Sequence, residues 1–397
     1  MNNTRVQVVV IGAGIAGLST AALLSKQGYD VCLLDQNWMV GGCAGTYLRK
    51  HAHYETGATT LVGLEPNMPL GILARKLNLD WEATPLEVPM QIQFPDGRVL
   101  TRHKDLIPWV QESENFFGIN QADFWKESLQ MALGVWDASG RYLDFPPQNW
   151  RDVARLLPQF KWKDIQLLSK AFRSTHQWIA SHKLNKNADF MRFVEAQLLI
   201  TSQNSSHETN ALFGATALAY PLVPNYYVPG GIGKVAEKLA QYIQAQSNPI
   251  ELRQKVVGLQ QISKSRWLVQ TASNRWECNA VVSAVPVNQT LSWLEKPSLA
   301  GISDLRTEDQ LWSAFQLSYE LPAQLPHKAL HHQIHLPEPL PGTQSKSLFV
   351  SLSAPWDTQR CTPGHQVVSV STHLGNLLNW KHEMKAQIEE TVIQHLK

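Results

Sequence analysis

The sequence predicts an α/β protein in two parts: a unit built on a parallel sheet, and a mixed helical and β-sheet portion inserted into it. Three observations point there. Residues 5–11, RVQVVVI, are β-branched and nearly all apolar, the pattern of a strand buried on both faces. From about Leu77 to Pro224 the pattern turns to a hairpin followed by long helical stretches. Strand patterns return at residues 250–286. The first unit is therefore expected at residues 1–75 and 225–300, and the inserted portion at 76–224 and 301–397.

After the first strand, GAGIAG opens a segment with Ile15, Leu18, Ala22 and the Leu23–Leu24 pair at helical spacing. Gly28 ends it, and YDVCLLD reads as a second buried strand finishing at Asp35. A strand–turn–helix–strand unit of about thirty residues is the context that gives a glycine motif meaning as a dinucleotide site. Gly12 allows the tight turn, Gly14 lets the backbone approach a pyrophosphate, and Gly17 lets helix and strand pack closely. The helix start at Ile15 and Ala16 supplies amides and partial positive charge. Asp35 is placed to accept hydrogen bonds from ribose hydroxyls, and its charge disfavours a 2′-phosphate, which makes NADP a poor fit.

The totals bound the function. With 397 residues the chain exceeds one compact domain. Thirty-five basic residues against thirty-three acidic leave +2, too balanced for nucleic acid as a global partner. The four cysteines, Cys32, Cys43, Cys278 and Cys361, form no CxxC pair, which argues against a disulfide scaffold or a thiolate zinc site and fits a reducing, cytoplasmic setting. The N-terminus lacks a charged n-region and a cleavage site, and no run reaches the eighteen or so apolar residues of a spanning helix. A soluble or surface-associated protein is expected.

Residues 37–66, NWMVGGCAGTYLRKHAHYETGATTLVGLEP, separate two cofactor readings. A plain NAD unit would continue into another simple helix. Here Gly41, Gly42 and Gly45 are followed by Gly57, Ala58 and Thr59, a thin backbone suited to lie beside a large flat cofactor. Glycines also serve ordinary loops, so composition alone favours flavin over NAD without closing the choice.

With those residues in view, GxGxxG, the acid, GGCAGTY and YETGATTLVGLEP resemble the opening of the carotenoid desaturase and isomerase family, the phytoene dehydrogenase-like FAD enzymes. The likeness continues in order. PNYYVPGGIGKVAEKLAQYI (224–243) is similar to the family's turn opening a helix, IELRQKVVGLQQI to its strand passing the adenine, and ECNAVVSAVP to its strand returning to the cofactor. The resemblance implies a Rossmann-like FAD-binding domain of the glutathione-reductase and amine-oxidase type. It places FAD at Gly12, Gly14, Ile15, Ala16, Gly17, Asp35, Gly41, Gly42, Cys43, Gly57, Ala58 and Thr59, with Val256 at the adenine. Many flavoproteins of this class have arginine where this chain has Cys43, a variant shared by some carotenoid-type members. Family members also continue into a glycine-rich segment that meets the isoalloxazine ring, whereas this chain closes on the helical NWKHEMKAQIEETVIQHLK. The expectation is that this closing block is absent, so that the flavin has fewer contacts or the chain is incomplete.

In the inserted portion a hairpin is expected around Asp96-Gly97, then helices at 124–136, 164–184 and 188–203. In the helix at 164–184, Ile165, Leu168, Phe172, Thr175 and Ile179 form one stripe, with Lys163, Lys170 and Arg173 across from it. Residues 151–186 hold eight basic and two acidic residues, interleaved with Trp150, Trp162 and Trp178. Two readings stand: a face that docks on an anionic membrane surface, or a domain helix with a solvated basic side. Residues 250–286 read as three strands packing on the nucleotide unit, and 311–336 with 346–374 as a sheet flooring the substrate site.

Other signals carry less. His327, His331, His332 and His335 have ligand spacing but no carboxylate among them and prolines on both flanks, so no metal is assigned. Ser206 and His207 lack the context of a hydrolase nucleophile. Tyr226 and Tyr227 either line a channel or pack a junction. The resemblance implies an oxidoreductase acting on an apolar polyene, by desaturation or cis–trans isomerisation, and no side chain is singled out as catalytic acid or base. The alternatives are an amine or porphyrinogen oxidase on the same architecture, and a lipid carrier or inactive chain without flavin, as in Rab GDP-dissociation inhibitors.

Overall fold

A computed structural model describes residues 3–142, 147, 149–294, 313–323, 328–341, 343, 345–375 and 382–395. Its centre is a parallel sheet of four strands in the order Ile250–Glu251, Val31–Leu34, Val8–Ile11 and Ala280–Ser283. Because side chains alternate along a strand, Val8, Val10, Val31 and Leu33 face one side. There they pack on Leu18 and Ala22 of the helix Ile15–Lys26 and on Val235 and Leu239 of the helix Gly233–Ala245. Val9, Ile11, Cys32 and Leu34 face the other side and meet Val256, Leu259, Val269 and Trp276. Covering both faces is what makes the two strand sequences continuously apolar. Each such side chain contributes about 1.5–3 kcal/mol by leaving water.

The second layer is the sheet Asn3–Arg5, Arg275–Cys278, Arg266–Thr271 and Val256–Ser263. Sequence patterning predicts single strands at 250–262 and 275–286, and the structure divides both between the two sheets. Past Glu251 the amides of Arg253 and Gln254 donate to the carbonyls of Asn37 and Asp35, and Arg253 takes φ +60°. At Asn279 the amide donates to Gln7, and Ala280–Ser283 then joins the parallel sheet. Backbone pairing with a distant edge decides these breaks, and periodicity does not register them.

The predicted hairpin forms between Met90–Gln93 and Val99–Arg102, with Gly97 at φ +86° in the turn. It joins a six-stranded sheet in the order Ser313–Pro322, His365–Leu374, Ser347–Leu352, His331–His335, Met90–Gln93, Val99–Arg102. Residues 311, 312 and 324–327 of the expected sheet lie outside the described residues. One face buries Leu348, Val350, Val368 and Val370 with Ile388 and Val392 of the helix His382–His395. The opposite face carries His331, Gln333, Ser351 and Ser369, all buried.

Helices Leu106–Phe117, Ala122–Arg141, Thr175–Ser181, Ala188–Thr201 and Ala211–Ala219 enclose an aromatic core of Trp109, Phe124, Trp125, Trp178, Phe190 and Phe193. The helix predicted over 164–184 is two helices, Asp164–Lys170 and Thr175–Ser181. Ser174 restarts the second through a reciprocal capping box with Gln177. The expected stripe is accordingly broken: Thr175 and Ile179 are buried, while Ile165, Leu168 and Phe172 are exposed. Trp178 is likewise fully buried, with its N–H donated to Glu127 at 2.8 Å, so it belongs to no docking face.

Candidate cofactor cleft and substrate cavity

The first strand ends at Ile11 and the chain turns at Gly12, whose φ is +104°. A Cβ on Gly17 would sit 1.8 Å from the Gly12 carbonyl oxygen, so strand-to-helix packing alone requires glycine there. Gly14 is different. Its φ is −71°, open to any residue, and a Cβ there would meet nothing within 4 Å. Across the gap stands Gly42, whose added Cβ would come 3.3 Å from Gly14 Cα. Next to it, the Gly41 amide donates to Ala13 O at 2.8 Å. Nothing within the chain demands glycine at 14, and the space beside it is open. The first-turn amides of Ile15, Ala16 and Gly17 have no carbonyl partner within the helix and suit an anion at that spot.

Asp35 ends the second strand half-buried. Its Oδ2 accepts from the Ala13 amide at 2.6 Å and its Oδ1 from the Asn37 amide at 2.7 Å. Those bonds fix the carboxylate and leave each oxygen a lone pair for a hydroxyl. Gly12, Gly14, Asp35, Gly42, Cys43 and Val256 together line one cleft of about 380 Å³. Gly41 sits just behind it. Ala58 donates its amide to Cys43 O at 2.8 Å, and a Cβ on Gly57 would press on the same oxygen at 3.0 Å, which puts these two on the adjoining wall. Thr59 turns away to Ser351, Oγ1 to Oγ 2.7 Å. Sequence reasoning missed Gln254, Gln289 and Trp293, which also line the cleft. Gln254 stands two residues before Val256 in the IELRQKVVGLQQI block, and Gln289 and Trp293 lie in no motif.

The glycine wall is clamped from behind. Buried Glu55 accepts from Thr46, from the Ile232 amide at 3.1 Å and from Arg360 at 2.5 Å. Asp357 accepts from Tyr227 at 2.6 Å and from the Gly230 amide at 2.8 Å. Tyr226 donates to Glu65 at 2.8 Å. Burial raises the hydroxyl pKa of Tyr226 and of Tyr227, the former to about 12. Both tyrosines pack the junction.

A second cavity, about 670 Å³, opens among the helices and is walled by Val62, Ala132, Trp136, Phe213, Ala217 and Tyr220, among others. Val62 ends the block that starts at Gly57, so this cavity and the cleft share one stretch of chain. Phe213 at its rim is two-thirds exposed. No spacing in the sequence announces it, because its lining comes from several separate elements.

His331–His335 is a strand whose first and last histidines are buried, and burial lowers them to about 3 and about 4. His327 lies outside the described residues. Among the described residues no cluster of metal-ligating side chains occurs, and no helix is long and apolar enough to cross a membrane. Ser206 donates to Glu195 and not to a histidine, and His207 stacks on His176 at 3.9 Å.

Residues 15–397 match the profile of the flavin containing amine oxidoreductases. The chain belongs to that family. Its cofactor is FAD. Among curated relatives, it is 23% identical to prolycopene isomerase 2 of an Oncidium hybrid over 238 residues, 58% of this chain and 40% of that one. It is 27% identical to the neurosporene-forming phytoene desaturase of Rhodobacter capsulatus over 262 residues, 63% of this chain and 46% of that one. The matched part thus spans less than half the length of these two relatives. In fold it is similar to an oxidoreductase of Methanosarcina mazei, at TM-score 0.59 and 16% identity, with 98% of this chain and 83% of the other covered. A Pyrococcus furiosus protein shares the fold at TM-score 0.65 and 16% identity, covering 99% of this chain and 85% of that one. The cleft fits a flavin dinucleotide: the unfilled space at Gly14, the unpaired helix amides and the oriented Asp35 are what its pyrophosphate and ribose require.

Proposed function

We propose that this chain is an FAD-dependent oxidoreductase acting on a long apolar polyene of the carotenoid class, by desaturation or by cis–trans isomerisation. The observation that supports it most is the cavity beside the residue 57–62 block, where Val62, Trp136, Phe213 and Val223 supply apolar wall alongside polar residues such as Thr201, Glu208 and Thr216. A polyene offers no polar group to grip and is held by shape and exclusion of water. The relatives named prolycopene isomerase and phytoene desaturase favour the same substrate class. Gly12, Gly14, Asp35, Gly42, Cys43 and Val256 would hold the cofactor, with Ile15, Ala16 and Gly17 at its phosphates. When bound, FAD supplies a hydride acceptor for desaturation or, reduced, assists isomerisation without net redox change.

The reading extends to an anionic membrane surface as the source of substrate. Among the described residues, eight of the twenty exposed large apolar side chains fall between Trp150 and Phe172, including Trp150 at 74%, Trp162 at 85% and Phe172 at 91%. A concentration of that kind on one lobe marks an interaction surface. Arg151, Lys161 and Lys163 are exposed among them. Leu167 packs against Gly134 and Ala171 accepts from Asn210, which sets this lobe beside the cavity rim.

The test is a visible spectrum with identification of the released cofactor, then incubation of the FAD-loaded chain with phytoene and with a cis-lycopene in anionic liposomes. Product chromatography should show a changed polyene. Bleaching of the flavin by an amine, with both polyenes recovered intact, would refute the substrate class. Failure to co-sediment with anionic vesicles at low salt would remove the membrane part alone.

A further inference from the structure

The covalent order of a dinucleotide fixes what its cleft must offer along its length: phosphate, then ribose, then base. The glycine turn and the first-turn amides of the helix Ile15–Lys26 stand at the phosphate position, and Asp35 at the ribose. Past Asp35 the wall comes from a distant part of the chain. The Gln254 amide donates to Asp35 O at 2.8 Å, and Val256, two residues on, lines the same cleft. A base joined to a ribose at Asp35 therefore meets the stretch that Gln254 and Val256 build.

A second route leads to the same place. An added Cβ on Gly12 would lie 3.0 Å from Ala284 O and 3.1 Å from Val285 Cγ1, so these two residues border the glycine turn. From there the helix Val287–Trp293 runs on, with Gln289 and Trp293, both lining the cleft, four residues apart on one face. Six steps of 1.5 Å carry Trp293 about 9 Å from Val287. Leu294 then bridges to Leu259, and the Trp293 indole packs against the cluster that holds Val256 and Leu259. The path from Asp35 and the path from Val285 thus meet at Val256 and Trp293.

Among the described residues that line the cleft, Trp293 is the one aromatic. It is partly buried, and the helix that carries it has no fully buried residue, so the core does not by itself call for an indole there. A base presents a flat π-face that stacks on an aromatic ring whatever its edge pattern. We propose that Trp293 holds the adenine of FAD, its indole stacking on the base beside Val256. The proposal concerns how the cofactor is kept and is independent of the polyene reading. Adenine takes no part in electron transfer, so this contact sets how tightly FAD is retained and leaves the reaction to the flavin end.

Two measurements test it, and neither reads activity. In FAD titrations of the full-length apoprotein, followed by flavin fluorescence, Trp293→Ala should bind about 5- to 150-fold more weakly than wild type. Trp293→Phe keeps an aromatic face and should recover most of that loss. Wild-type affinity in Trp293→Ala would overturn the proposal. The second measurement leaves every side chain in place. With 5-fluorotryptophan at the fourteen tryptophans of the wild-type chain, the Trp293 resonance is the one missing from Trp293→Phe. Saturating FAD should move that fluorine resonance, and ADP at concentrations that displace FAD should move it too. Inorganic pyrophosphate, which has no base, should leave it in place. A resonance that FAD or bound ADP leaves unmoved, or that pyrophosphate moves as far, would also overturn the proposal. Should Trp293→Ala misfold, the fluorine shifts decide alone.

Discussion

Gly14→Ala is the sharpest test of the cleft, because the structure separates its effect on the fold from its effect on the ligand. The added methyl meets nothing within 4 Å, and the backbone at φ −71°, ψ 174° is open to alanine. Alanine is a poorer start to a helix than glycine but stiffens the unfolded chain, and these terms oppose each other at about 0.5–1 kcal/mol each. The melting temperature of the apoprotein should scarcely move. The methyl does, however, project into the open space beside Gly14, which lines the cleft, and hold a phosphate off the amides of the first helical turn. One charge-assisted hydrogen bond contributes about 1.5–3 kcal/mol, so losing one or two at the lower value weakens FAD about 10- to 150-fold. Gly17→Ala makes the control, since its Cβ falls 1.8 Å from Gly12 O and must shift strand or helix. That should destabilise the apoprotein by about 1–3 kcal/mol or more. FAD titration by tryptophan fluorescence, beside urea unfolding of both apoproteins, reads the two effects separately. Wild-type FAD affinity in Gly14→Ala, or a fall in its apo stability matching that of Gly17→Ala, would refute the assignment.

Other outcomes follow from the same structure. Glu55→Gln leaves buried Arg360 without its counter-charge, so urea unfolding should show a loss of about 3–5 kcal/mol, with weaker FAD retention as the Gly230–Gly231 turn loosens. Ser174→Ala removes the capping box and should cost about 1 kcal/mol by the same assay. Arg102 is fully buried against Trp109 at 4.1 Å, with a carbonyl and no carboxylate as partner, so Arg102→Met should unfold at equal or higher urea concentration. His331 and His335 titrate at about 3 and about 4 when folded, below the unfolded value of 6.5. The unfolded chain then binds more protons across that interval, so their contribution is full above pH 6.5 and is lost as pH falls towards 4. Each histidine adds about 1.4 kcal/mol per pH unit to that slope, and His335→Phe should remove one share in urea midpoints taken at pH 6 and 5.

Much of the cofactor cleft was readable because its parts are local. A β-branched run, a glycine turn and an amphipathic start set one another's geometry within a few residues, which is why Gly12, Gly14, Gly17 and Asp35 converge where spacing places them. The Gly230–Gly231 turn and the Asp96-Gly97 hairpin are of the same kind. Residues decided by long-range packing were not readable. The helical period runs unbroken through Ser174, yet its side chain and that of Gln177 cap a new helix there, and Ile165, Leu168 and Phe172 end up exposed. The tryptophans of the inserted portion look alike in sequence, but Trp109, Trp125 and Trp178 fill a core while Trp150 and Trp162 face outward. Gln254 and Trp293 reach the cleft only because two sheets stack, and Thr60 meets His331 across 271 positions because the six-stranded sheet lies against Thr59 and Thr60. By itself the sequence determined the dinucleotide unit, whose contacts are short-range. The tertiary structure decided the cavity and the clamp at Glu55, since each joins groups that only chain folding brings together.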